Sequence, residues 1–185
     1  LVMLAIVAVV LLVGYWNSLV KTYTTTSPQP LPKVQNDPEL RKALENRWAQ
    51  FAKAVMDREN PPPFKISGDD INLFLAQHGP ISDYVHFVIR SNQLQADFSA
   101  PLDKLKRKEL KGRYVNGVAT INVIFQDGWL TVNLGKVEAN GKPFPGWPLK
   151  QFQGKNLVKF IDDNPDLVNA LHELESLEIQ NGFIV

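Results

Sequence analysis

Three kinds of apolar spacing follow one another along the chain. The first is an unbroken run: Leu1 to Trp16 carries no charge, extension to Val20 adds only Asn17 and Ser18, and the first charge is Lys21. Twenty helical residues at roughly 1.5 Å each cover about 30 Å, the depth of a bilayer's hydrocarbon core. A core helix of a soluble protein would show a polar stripe, and this segment has none. The run predicts a transmembrane anchor over 1–20, with Leu1, Leu4, Leu11 and Leu12 in lipid. Tyr15 and Trp16 fall at the boundary that amphipathic rings favour. The competing assignment is a cleaved secretory signal, whose apolar stretch of about 7–15 residues ends in a small-x-small site. Here Gly14-Tyr15-Trp16-Asn17 puts bulky rings where cleavage needs small residues.

The next stretch, 21–37 (KTYTTTSPQPLPKVQND), has no apolar period and reads as a Pro/Thr/Ser-rich linker. Its prolines favour extended backbone, so it predicts a spacer able to lift a domain about 30–50 Å from the bilayer. A helical period then begins. Asp37-Pro38 supplies an N-cap and a proline at the first helical position. Leu40, Leu44, Trp48, Phe51 and Val55 follow as one stripe, ending before Pro61-Pro62-Pro63. Ser67 and Asp70 stand at capping-box spacing and start a shorter helix. Its inward face is expected to be Ile71, Phe74 and Leu75, and Gly79-Pro80 ends it.

Period two takes over at 84–90, where Val85, Phe87 and Ile89 alternate with polar positions. Ser91-Asn92 turns the chain into 93–99, with Leu94, Ala96 and Phe98 on one side. A longer strand is expected within 113–126, then an Asp127-Gly128 hairpin, a strand from Trp129 to Glu138, and an Asn140-Gly141 turn. The helical period returns with Leu149, Phe152, Leu157, Phe160 and Ile161, in one helix or one interrupted near Gly154, and again with Leu167, Leu171 and Leu174. The last residues, around Gln180-Asn181-Gly182, suit a small hairpin or one bulged edge strand. The fold class is α+β: an N-terminal transmembrane helix, then a twisted antiparallel sheet packed on one side by helices. The domains are an anchor at 1–20, a linker at 21–37 and an extracytoplasmic α+β domain at 38–185.

Composition narrows the chemistry. The 185 residues include no cysteine, which excludes disulfides, thiolate metal sites and a cysteine nucleophile. Twenty basic against 19 acidic residues give a net charge of +1, not the basic excess of a nucleic-acid binder. His78, His86 and His172 lack a second ligand at the spacings that zinc sites use. Asp162-Asp163-Asn164-Pro165-Asp166 resembles a calcium loop in composition only, and carboxylates before a helix also suit its dipole. No serine elbow, Walker sequence or dinucleotide fingerprint is present. The pattern therefore predicts no catalytic, cofactor or metal residues. One dense charge feature remains, DKLKRKELKGR at 103–113. Lys104, Lys106, Arg107, Lys108, Lys111 and Arg113 can attract anionic headgroups. The segment also suits a solvated connector that deters sheet-edge pairing, since Asp103 and Glu109 dilute its field.

The stretches FKISGDDINLFLA, YVNGVATINVIFQDGWLTVNLGKVEANGKPFP and LESLEIQNGFIV resemble a pattern of uncharacterised bacterial single-pass envelope proteins, the YpmS-like family. The resemblance covers 64–185 and implies architecture and an envelope location, with no functional residue to carry over. The expected function is a membrane-anchored extracytoplasmic binding or scaffolding domain, as an accessory subunit of a larger membrane complex. Its partners are membrane lipid through 1–20 and other subunits of that complex, with no nucleic acid. One alternative is a lipid or hydrophobic-ligand carrier, with Trp129, Phe144 and Trp147 at the mouth of its groove. The other is a hydrolase assembled in the fold, with His86 or His172 beside a carboxylate.

Overall fold

A computed structural model of the chain describes every residue except 1, 34–36, 58, 60, 77–79, 151–153 and 160–164. The side chains of 2–10, 80, 147–148, 165–167 and 170 also lie outside the description. Helix α1 runs over Val2–Tyr23, so it passes the expected boundary at Val20 and takes in the start of the expected linker. Among the described residues, which cover α1's side chains only from Leu11 onward, no helix is long and apolar enough to cross a membrane. What the structure supports of the expected membrane span is the helix alone.

Helix α2 spans Pro38–Met56 and starts as its sequence dictates. The Asp37 carboxylate accepts from the Glu39 N–H at 2.8 Å and the Leu40 N–H at 3.4 Å, relieving two of the donors a helix leaves unpaired. Trp48, Phe51 and Phe64 form an aromatic cluster with centroids 5.2–6.1 Å apart. Helix α3, Gly68–Leu75, opens on the expected capping box: Ser67 Oγ accepts from the Asp70 N–H, and Asp70 accepts from the Ser67 N–H at 2.8 Å. The expected inward face needs correction. Asn72 and Leu73 are buried, whereas Phe74 is 43% exposed. The helix lies against a strand edge, which calls for a polar side chain where apolar spacing alone pointed elsewhere.

The sheet has five antiparallel strands in sequence order: β1 (Val85–Arg90), β2 (Gln93–Pro101), β3 (Tyr114–Gln126), β4 (Trp129–Ala139) and β5 (Lys142–Pro143). Its turns at Ser91-Asn92, Asp127-Gly128 and Asn140-Gly141 have positive φ at both central residues, the geometry that matches strand twist. Leu94, Ala96, Ala119 and Ile121 form the buried centre of one face. Val85, Phe87, Ile89, Val132 and Leu134 pack around them, with Ile71 of α3 also against the cluster. A bulge interrupts β4: Ala119 pairs with Val137 and Ile121 with Leu134, so Gly135 and Lys136 face the single residue Thr120. The bulge returns Val137 to the side occupied by Leu134. Gly117 is required where β3 meets Ala139, since a Cβ there would overlap the Glu138 carbonyl oxygen and crowd the Phe98 ring.

Both flanks of the sheet are closed by side-chain amides. Asn72 Nδ2 donates to the Phe87 carbonyl at 2.7 Å, and its Oδ1 accepts from the Phe87 N–H at 2.7 Å. Beyond the short β5, Asn156 does the same for β4, accepting from the Val132 N–H at 3.0 Å and donating to the Leu130 carbonyl at 3.1 Å. The Leu157 N–H donates to the Val132 carbonyl at 2.7 Å. The expected helical segment around 149–161 is broken at Gly154, where the spacing allows an interruption, and the described residues after it, 155–159, are turns in place of helix. Helix α4 covers only Gly146–Leu149, and the backbone at 154–159 forms turns against β4. Phe152, Phe160 and Ile161 lie outside the described residues. Helix α5 covers Pro165–His172, and the chain closes in a hairpin of β6 (Ile179–Gln180) and β7 (Phe183–Ile184). Ile184 also bridges to Ile66.

Candidate functional site

Among the described residues, a dense set of polar contacts sits where α1 meets the sheet. A helix end leaves carbonyls unpaired, and here residues distant in sequence take them. Thr24, only 7% exposed, donates from Oγ1 to the Val20 carbonyl. Arg113 donates from Nε to Thr24 Oγ1 and from Nη2 to the Thr24 carbonyl at 3.1 Å. Asn140 Nδ2 donates to the Thr22 carbonyl at 3.1 Å. A guanidinium at this end also complements the helix dipole. The chain then pairs Thr25 with Tyr114 through hydrogen bonds of 2.8 and 2.9 Å, extending the ladder at the start of β3. Asn116 Nδ2 donates to Thr25 Oγ1 and to the Ser27 carbonyl, both at 2.9 Å. The Gln29 N–H donates to Ser99 Oγ at 3.1 Å. Tyr23 meets Phe144 edge-on at 5.1 Å. From Thr22 to Gln29 the expected spacer is thus fastened to the domain. Its threonines and serine supply polar partners that an unattached linker does not need.

The basic segment lies beside this junction. It folds into two short 3₁₀ turns, Asp103–Leu105 and Lys108–Leu110. Leu110 is 5% exposed and pins the segment, and the Leu102 N–H donates to the Arg113 carbonyl at 2.8 Å. Asp103 accepts from the Gly112 N–H at 2.9 Å. Of the six basic candidates, Arg113 is drawn inward as the cap of α1. Lys104, Lys106, Arg107, Lys108 and Lys111 remain exposed, as does Glu109. Arg107 reaches α1, its guanidinium 5.3 Å from the Trp16 ring centroid. Lys104 Nζ lies 5.1 Å from the Tyr84 ring. Trp16 is about 12 Å up the helix from Thr24, at roughly 1.5 Å per residue. The segment therefore runs alongside the last turns of α1. Leu105, between two lysines, is 60% exposed.

The anchor candidates divide by description. Leu1 is outside the described residues and Leu4 lies in α1 without a described side chain. Leu11, Leu12 and Tyr15 are 66%, 67% and 58% exposed, while Trp16 is half-buried. Nothing among the described residues covers this apolar surface beyond the Arg107 contact.

The other candidates do not converge. His86 Nδ1 is buried without a hydrogen-bond partner. Asp97, opposite it across the ladder, is held by Arg90 in a two-pronged pair at 2.9 and 2.7 Å. The hydrogen bond to Asp97, opposed by partial burial, raises the Arg90 pKa above its ordinary value, so its charge persists at any ordinary pH. His172 stacks edge-on to Trp129 at 5.1 Å, beside a cavity of about 450 Å³ below the Asp127-Gly128 turn. A second cavity, of about 400 Å³, opens between Pro28–Lys33 and Tyr84. Among the described residues no group of three or more His, Cys, Asp or Glu could hold a metal ion. His78, Asp162 and Asp163 lie outside them. Trp129 and Phe144 sit toward opposite ends of β4, about 27 Å apart along the strand. They do not share a groove mouth.

No family model, no curated protein and no solved structure matches this chain.

Proposed function

We propose that this chain is a membrane-anchored extracytoplasmic domain that binds or scaffolds, serving as an accessory subunit of a larger membrane assembly. The observation that carries this reading is the junction of α1. The helix exposes apolar side chains at Leu11, Leu12, Val13 and Tyr15, and its end is tied to the domain by Arg113 and Asn140. Exposed side chains such as Leu11 and Leu12 cost free energy in water, at about 25 cal/mol per Å² of apolar surface, and lipid removes that cost. A second support is the aromatic and basic collar of Tyr15, Trp16 and Arg107 at one level of the helix, suited to a membrane–water boundary.

The full chain expressed in cells tests this reading. Membranes washed at alkaline pH should retain it, and a maleimide that cannot cross membranes should label an introduced Ser176→Cys, exposed by the Asp127-Gly128 turn and away from α1, from outside. Release by the wash overturns anchoring, and labelling only after lysis overturns the orientation. Purification in mild detergent should bring down further chains, and a bare monomer would overturn the accessory role.

A further inference from the structure

We infer that the segment 103–111 is a contact surface for anionic lipid headgroups of the bilayer leaflet nearest the domain. The inference rests on α1 lying in a bilayer as proposed, and it adds a lipid class and a set of residues to that reading. Three observations carry it. The first is placement: Arg107 over Trp16 fixes the segment against α1 at the level of its aromatic residues, not at a remote face of the domain. The second is the division of labour among the charges. Arg113 is occupied by Thr24 and Asp103 by the Gly112 N–H. The side chains of Lys106, Lys108 and Lys111 are exposed and make no hydrogen bond or ion pair among the described residues. The third is shape. Two 3₁₀ turns pinned by buried Leu110 present Lys104, Lys106, Arg107, Lys108 and Lys111 together, with the exposed apolar Leu105 among them. Apolar side chains ringed by lysines suit a headgroup layer, where the ammonium groups meet phosphate and the leucine meets acyl carbon.

The absence of cysteine gives a direct test, because Leu105→Cys provides a unique site for a fluorescent donor. The full chain is reconstituted in vesicles of equal parts phosphatidylcholine and phosphatidylglycerol. A trace acceptor is carried on the acyl chain of one lipid or the other. Energy transfer to the phosphatidylglycerol acceptor should exceed transfer to the phosphatidylcholine acceptor by about twofold or more, as local enrichment by several basic residues requires. Raising the salt to about 0.5 M, where screening shortens to about 4 Å, should abolish the excess. The combined variant Lys106→Gln, Lys108→Gln, Lys111→Gln, which keeps Lys104 and Arg107, should lose more than half of the excess with its vesicle association unchanged. Equal transfer in the parent, or an excess undiminished by the triple substitution, overturns the inference while leaving anchoring intact. Absence of transfer to either acceptor means that the chain does not enter the bilayer, which overturns both.

Discussion

At Phe87 the outer edge of the sheet meets a single side chain in place of another strand. A side-chain amide can set one N–H donor and its carbonyl acceptor side by side against a peptide group's acceptor and donor, so Asn72 completes the pairing that β1 otherwise lacks. Asn72 is 2% exposed, so water does not substitute for it. Asn72→Ala should cost about 2–3 kcal/mol, since two backbone groups lose their partners in a buried place. For a chain of this length that is about 5–10 °C in melting temperature. Asn72→Leu keeps the volume and should lose nearly as much; a leucine variant as stable as the parent would show that packing, not pairing, matters there. The role was not legible in the sequence. Apolar spacing in 68–75 points to Ile71, Phe74 and Leu75, and the partner of Asn72 lies 15 residues later. The turn residues were legible, because positive φ is a local demand that Asp127-Gly128 and Asn140-Gly141 answer by themselves.

Among the elements, the strands were the most readable. Alternation in 84–90, 93–99 and 129–134 places Val85, Leu94 and Val132 on the packed face, where the structure has them. Even the β4 bulge leaves a trace, in the slip from Leu134 to Val137 across Gly135-Lys136. The junction of α1 was hidden for the opposite reason. Thr24 and Arg113 are 89 residues apart, and a Thr/Ser/Pro-rich stretch has the composition of a spacer whether or not it is fastened. The fastening can be weighed directly. Arg113→Ala should raise amide hydrogen exchange from Val20 to Thr25 by about tenfold or more, as loss of a charged hydrogen-bond pair of about 1.5–3 kcal/mol implies. Lys111→Ala, on the same connector but exposed, should leave those amides unchanged. Equal protection in the two variants would show that Thr25–Tyr114 pairing alone holds the helix.

For the molecule as a whole, the proposed membrane placement depends on the apolar surface of α1 and on no residue of the sheet. Leu11→Arg with Leu12→Arg should therefore move the chain into the soluble fraction of cell extracts, as the insertion penalty of about 2.5–3.5 kcal/mol per arginine near a helix centre indicates. The circular dichroism of the β-sheet should persist, because both side chains are exposed. Retention of that variant in washed membranes would place the attachment elsewhere in the chain. The cap at Thr24 has one more implication. With its terminal carbonyls held by Arg113 and Asn140, α1 is tied to the sheet it leads into. If α1 stands in a bilayer as proposed, a lean imposed on that shaft would pass to the domain through these bonds, so bilayer thickness would bear on which way the sheet is aimed.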